Sequence, residues 1–171
     1  VTRALRFART EHGIVTIALG LIGLHIADDN YLQPEPGTSP LDHLASGLIP
    51  IGLLAAVAIL YPRFRAGVRG SLALTFGALG IVFGVPSAYW LSHGEASGDH
   101  YTTGPLSILA GVVLMVAGLA VLWRSRRSYG SRRRTYFRRA LTLAVSAVLA
   151  FAIFWLVVFP VGFAYTYTHT G

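Results

Sequence analysis

The chain contains no cysteine, which excludes disulfides, thiolate catalysis and iron–sulfur ligation. It contains no lysine, so arginine carries all of the basic charge; that is a bias of codon use, not a clue to mechanism. Charge of either sign is sparse. Only 12% of the 171 residues are Asp, Glu, Lys or Arg, roughly half of the 25% usual in a soluble domain. No G-x-S-x-G elbow is present, and Ser39, Ser46, Ser87 and Ser107 have no partner pattern that would make one of them a nucleophile. HExxH and comparable zinc-ligand spacings are also missing.

What the chain has instead is apolar length. Hydrophobic residues make up 54% of it and fall into five long runs. Each run is close to the roughly 20 residues that cross a 30 Å hydrocarbon core as a helix. The expected fold is therefore an all-α integral membrane protein. It forms one transmembrane domain over 1–171, with five helices at about 10–27, 40–61, 71–91, 105–123 and 140–162. Arg3, Arg6 and Arg9 ahead of an apolar stretch have the outline of a signal peptide. No small-x-small cleavage site follows, because the apolar stretch runs straight into His25, Asp28 and Asp29, so the first run is taken as a retained helix.

Local signals set the helix ends. Thr10 is placed to cap the first helix with Glu11 in its first turn. Ser39-Pro40-Leu41-Asp42 has the form of a second helix start, with a Ser cap, Pro at N1 and an acid at N3. The first helix is expected to stop at Ala27, leaving Asp28 and Asp29 in a solvated turn.

Arginine placement predicts orientation. Three arginines precede the first run, three lie between the second and third, and eight between the fourth and fifth, which accounts for all fourteen. Six of the seven acids lie in the alternate loops, and Glu11 is the exception. By the positive-inside rule the amino terminus is cytoplasmic and the carboxy terminus external. The block holding Arg124, Arg126, Arg127, Arg132, Arg133, Arg134, Arg138 and Arg139 lacks a folded reading module. It is read as a topology signal that touches anionic headgroups of the inner leaflet, not as a nucleic-acid site. Tyr89, Trp90, Trp155 and Tyr165 suit an outer aromatic belt, and Tyr61 and Trp123 an inner one.

Close helix packing in lipid relies on small residues. Gly104, Gly111 and Gly118 repeat at heptad spacing, and Gly77, Gly80 and Gly84 line the preceding helix. Helices one to four are expected to form a bundle. The fifth, with Phe151, Phe154, Trp155 and Phe159 at helical spacing, should be peripheral and face lipid.

The chemistry-bearing side chains gather in the two external loops. His25, Asp29, His43, His93 and His100 are the candidate metal ligands, with zinc the metal that imidazole and carboxylate best suit. On that reading the chain is a small metal-dependent membrane hydrolase; on the other it needs no cofactor. A transporter or ion-binding module requires ionisable groups at mid-membrane, and the central turns of the second to fifth runs have none.

The stretch LHIADDNYLQPEPGTSPLDHLASGLIP, followed by YPRFRAG and GDHYTTG, resembles the amino-terminal membrane-spanning region of actinobacterial membrane-anchored α/β-hydrolases. The resemblance implies an anchor whose partners are the bilayer and an extracytoplasmic hydrolase domain beyond Gly171. None of that family's catalytic motifs occurs here, so no catalytic residue is carried over.

Overall fold

The structure, a computed structural model, describes residues 6–7, 10–33, 37, 39–93 and 100–127, together with positions 141, 144 and 148. The described residues are mostly helical, with no strand among them. Among the described residues, four helices are long and apolar enough to cross a membrane: Glu11–Leu32, Leu44–Arg63, Ala66–Tyr89 and Thr103–Ser125. The expected fifth helix, 140–162, lies outside the described residues apart from positions 141, 144 and 148.

Helix α1, Glu11–Ala27, starts as its sequence predicts: the Thr10 hydroxyl accepts from the Gly13 amide at 3.0 Å, with Glu11 in the first turn. It does not stop at Ala27. A π-helical turn, Asp28–Leu32, carries it on, and the Gln33 amide donates to the Asp28 carbonyl at 2.9 Å. Extension keeps Asp28 and Asp29 within the continued helix instead of beyond its end. It also provides local satisfaction of the backbone: Asn30 Nδ2 donates to the Ile26 carbonyl at 2.8 Å.

Helix α2, Leu44–Leu60, runs into a 3-10 turn, Tyr61–Arg63. It begins four residues later than Pro40. The Ser39–Asp42 pair forms, with the Ser39 amide and hydroxyl donating to Asp42 Oδ2 at 2.8 and 2.7 Å. That pair closes a separate turn, however, and His43 is the residue that precedes α2. The Ser39 hydroxyl, followed by the Ser39 amide, holds the Asp42 carboxyl below its ordinary range.

Helix α3 spans Ala66–His93 and α4 spans His100–Arg127. Both are longer than the sequence suggested, because residues flanking the apolar runs continue the same hydrogen-bond ladder. The four helices form a bundle with α1 at its centre. It packs against α4 and α3 on one side and α2 on the other, while α2 has no comparable interface with α3 or α4. The buried stripe of α1 is Val15, Ala18, Leu19, Ile22, His25 and Ile26, the i, i+3, i+4, i+7 pattern of one helix face. Leu48, Ile49, Leu53 and Ile59 on α2 are exposed, so α2 is the flank of the bundle.

The tightest contact is the antiparallel pair α3–α4. Glycines face one another at three levels: Gly70 with Gly118, Gly77 with Gly111, and Gly84 with Gly104. A Cβ on Gly77 would lie 2.7 Å from the Gly111 carbonyl oxygen, and one on Gly118 would lie 2.8 Å from that of Gly70. Backbone therefore meets backbone along about four turns. Gly80 has a different role. It accommodates Ile22 of α1, and its carbonyl accepts the buried Ser107 hydroxyl at 2.8 Å.

Candidate functional site

Between α1, α3 and α4 lies a chain of buried polar groups. His25 is 2% exposed and Asp28 6%. His25 Nε2 meets the Phe83 carbonyl of α3 at 3.1 Å, and His25 Nδ1 meets Thr103 Oγ1 of α4 at 3.2 Å. The Thr103 hydroxyl in turn donates to Asp28 Oδ2 at 2.6 Å. A carbonyl can only accept, so Nε2 carries its proton. Pro86 lies three residues after Phe83 within α3. It cannot donate to the Val82 carbonyl, which loosens the helix ladder beside the carbonyl that His25 uses.

Helical geometry explains why these side chains meet. His25 and Asp28 are three apart, hence on one side of α1, and the π turn begins at Asp28. Thr103 stands in the first turn of α4 because that helix starts at His100 and not at Pro105. Asn30 and Tyr31 on the same π turn reach α2. The Ser46 hydroxyl donates to Asn30 Oδ1 at 2.9 Å, and the Tyr31 hydroxyl donates to the Leu44 carbonyl at 3.3 Å. Gly47 makes room for the Tyr31 ring, since a Cβ there would overlap it.

Among the described residues, the candidates His25, Asp29 and His43 belong to no group of three that could hold a metal ion. Asp29 is exposed, while its neighbour Asp28 is the buried carboxylate. His43 precedes α2 and its carbonyl accepts the Gly47 amide. His93 and His100 stand at the facing ends of α3 and α4, and their side chains lie outside the described residues. Among the described residues no three His, Cys, Asp or Glu stand close enough to hold a metal ion. Both ring nitrogens of His25 are already engaged by protein groups. The order of the groups also differs from a Ser–His–Asp triad: here the hydroxyl lies between imidazole and carboxylate, leaving no ring nitrogen to activate water or substrate.

No protein-family model, curated protein or solved structure matches this chain. What the site can do is thus a matter of its own chemistry, and that chemistry has a counterpart at the other end of α1.

Fourteen residues before His25, or about 21 Å along the helix, Glu11 joins all four helices. Arg69 of α3 approaches Glu11 Oε1 at 3.2 Å, and Arg124 of α4 approaches Oε2 at 3.3 Å. The Tyr61 hydroxyl, at the end of α2, donates to Oε1 at 3.3 Å. The Arg69 guanidinium sits 5.8 Å from the centre of the Tyr61 ring, the His12 ring lies parallel to it at 6.4 Å, and His12 Nε2 meets the Ala58 carbonyl at 3.0 Å.

This arrangement corrects two expectations. Tyr61 is fully buried and does not belong to an interfacial belt, whereas Tyr89 and Trp123 are exposed. Arg124 is not solely a headgroup residue, because it pairs with Glu11. Arg126 and Arg127 end α4, with side chains outside the described residues; Arg132, Arg133, Arg134, Arg138 and Arg139 lie outside them altogether. Sequence reasoning singled out neither Glu11 nor Arg69 as a contact residue. The available signal was that Glu11 is the one acid among basic segments.

Proposed function

We propose that the chain is a polytopic anchor of the cell membrane. It crosses five times, with its amino terminus in the cytoplasm and its carboxy end outside, and it presents an extracytoplasmic cap or a hydrolase domain that follows Gly171. The observation that carries this reading is that Glu11, His25 and Asp28 of the first helical segment are each engaged by side chains or carbonyls of other helices. Glu11 ties α1 to α2, α3 and α4, and His25 ties α1 to α3 and α4. A rigid bundle of that kind suits holding and orienting better than turnover.

The placement of all fourteen arginines ahead of the first apolar run, between the second and third, and between the fourth and fifth supports the orientation. The arginines after α4 are suited to anionic headgroups of the inner leaflet. The fifth apolar run, 140–162, follows that block, and residues 161–171, VGFAYTYTHTG, have no arginine; a segment with this asymmetry inserts with its carboxy end outward.

Fusion of alkaline phosphatase after Gly171 tests the anchor. The enzyme, which requires export, should be active and should stay with the membranes through an alkaline carbonate wash. The same enzyme fused after Arg127 should be inactive. Activity after Arg127 and none after Gly171 would overturn the proposal.

A further inference from the structure

We propose that the Glu11 cluster is the binding site of one anionic phospholipid, whose phosphodiester group is held by Arg124. One carboxylate there faces two guanidiniums, Arg69 at 3.2 Å and Arg124 at 3.3 Å, so the three side chains carry one positive charge in excess. Acceptors are short as well. Glu11 also takes the Tyr61 hydroxyl, and Arg69 Nε is buried without a partner, which costs free energy. Glu11 is the one acid in the arginine-bearing segments of the chain, so no carboxylate near it in sequence supplies the missing charge. An anion from outside the chain can.

Arg124 is the member of the cluster that such an anion can reach. The Arg69 side chain is 29% exposed and lies against the Tyr61 ring, whereas that of Arg124 is 65% exposed. Arg124 uses Nη2 on Glu11 and Nε on the Ala120 carbonyl, both at 3.3 Å, and Nη1 has no protein acceptor among the described residues. Held by two bonds, the guanidinium is already ordered, which lowers the entropic cost of a further contact. A phosphodiester has one negative charge and two unesterified oxygens. It brings both the charge and the acceptors that the cluster lacks.

The surface beside Arg124 favours a lipid as the carrier of that group. Val112, Val116, Leu119 and Trp123 are all exposed and follow one another at i, i+4, i+7 and i+11, so they form one strip along α4. The strip ends at Trp123, the neighbour of Arg124. Acyl chains fit such a strip, and an exposed indole suits the level of the headgroups. Inorganic phosphate or a nucleotide would engage Arg124 and leave the strip unused. A zwitterionic headgroup carries its own cation, so a lipid of net negative charge is the one that neutralises the cluster.

This inference rests on the anchor reading only in requiring a bilayer. With the same lipids in both leaflets of a reconstituted membrane, orientation has no bearing on binding. A wrong orientation and an absent site are therefore told apart.

The experiment uses the full chain with Trp90→Phe and Trp155→Phe, which leaves Trp123 as its one tryptophan, in phosphatidylcholine bilayers. Bromine on a lipid chain quenches an indole on contact. Quenching by brominated phosphatidylglycerol should reach half its limit at a mole fraction roughly fivefold lower than with brominated phosphatidylcholine. Arg124→Gln should abolish this preference. Arg65→Gln, which removes the same charge from an exposed position just ahead of α3, should preserve it. Inorganic phosphate, matched in ionic strength with chloride, should not displace the lipid. Equal loss in both variants would indicate diffuse attraction and overturn the proposal. So would a preference retained in Arg124→Gln, displacement by phosphate, or a Trp123 that neither lipid quenches because protein covers the strip. Should any of these chains fail to fold, native mass spectrometry of the unaltered chain decides. A plateau at one bound phosphatidylglycerol supports the site, and uptake without a plateau refutes it.

Discussion

Gly111→Leu should prevent the bundle from forming, while Gly52→Leu should leave it intact. A Cβ at Gly111 would lie 2.5 Å from the Gly77 carbonyl oxygen and 2.8 Å from Ile81 Cγ1. The first of these obstacles is backbone on the facing helix, which cannot rotate away as a side chain can. The helices must separate, and the contacts at Gly70–Gly118 and Gly84–Gly104 would loosen with them. Overpacking ordinarily costs about 1–3 kcal/mol; a wedge at the middle level of a three-level contact should reach or exceed the upper figure. At Gly52 of α2 and Gly20 of α1 nothing stands within 4 Å of an added Cβ. Leucine at those positions should change stability by no more than about 0.5 kcal/mol, with a small gain from removing a helical glycine. Unfolding in detergent micelles measures all three. Equal loss at Gly111 and Gly52 would show that α3–α4 does not pack through its glycines.

Glu11→Ala should give the second large effect, a loss of about 1–3 kcal/mol. It removes the acceptor for Arg69, Arg124 and the Tyr61 hydroxyl together. The contributions are unequal. The Arg124 side chain is 65% exposed, whereas Arg69 and Glu11 are 29% and 23% exposed. An ion pair as exposed as that of Arg124 contributes at most about 1 kcal/mol. The Arg69 pair, half-shielded and held over the Tyr61 ring, should carry most of the coupling. Double-mutant cycles separate the two: the Glu11–Arg69 term should exceed the Glu11–Arg124 term. Equal terms, or none at Arg69, would mean that the cluster does not fasten the helices.

The helices themselves were legible because each is a long apolar run bounded by polar residues, and Thr10 marks its own role through position. Legibility failed where the partner is remote. The π turn that buries Asp28 instead of Asp29 depends on Thr103, 75 residues away; on an ideal helix both acids lie on the His25 side. Gly70 was missed because a helix starting at Ser71 excludes it. Once α3 starts at Ala66, the heptad 70–77–84 faces 118–111–104. Arg69 and Arg124 were hidden for another reason. A positive-inside pattern explains any arginine in those loops equally well, so the two that pair with Glu11 do not stand out.

The absence of cysteine makes the membrane topology directly measurable by single-cysteine labelling in intact cells. Leu41→Cys lies between α1 and α2 at an exposed position, and Gly67→Cys lies at the start of α3 with open space around it. Gly171→Cys reports on the segment after the fifth apolar run, 140–162. With a membrane-impermeant maleimide, Leu41→Cys and Gly171→Cys should label in intact cells, and Gly67→Cys only after permeabilisation. Labelling of Gly67→Cys in intact cells with Leu41→Cys protected, or protection of Gly171→Cys, would contradict a five-crossing anchor with its amino terminus inside.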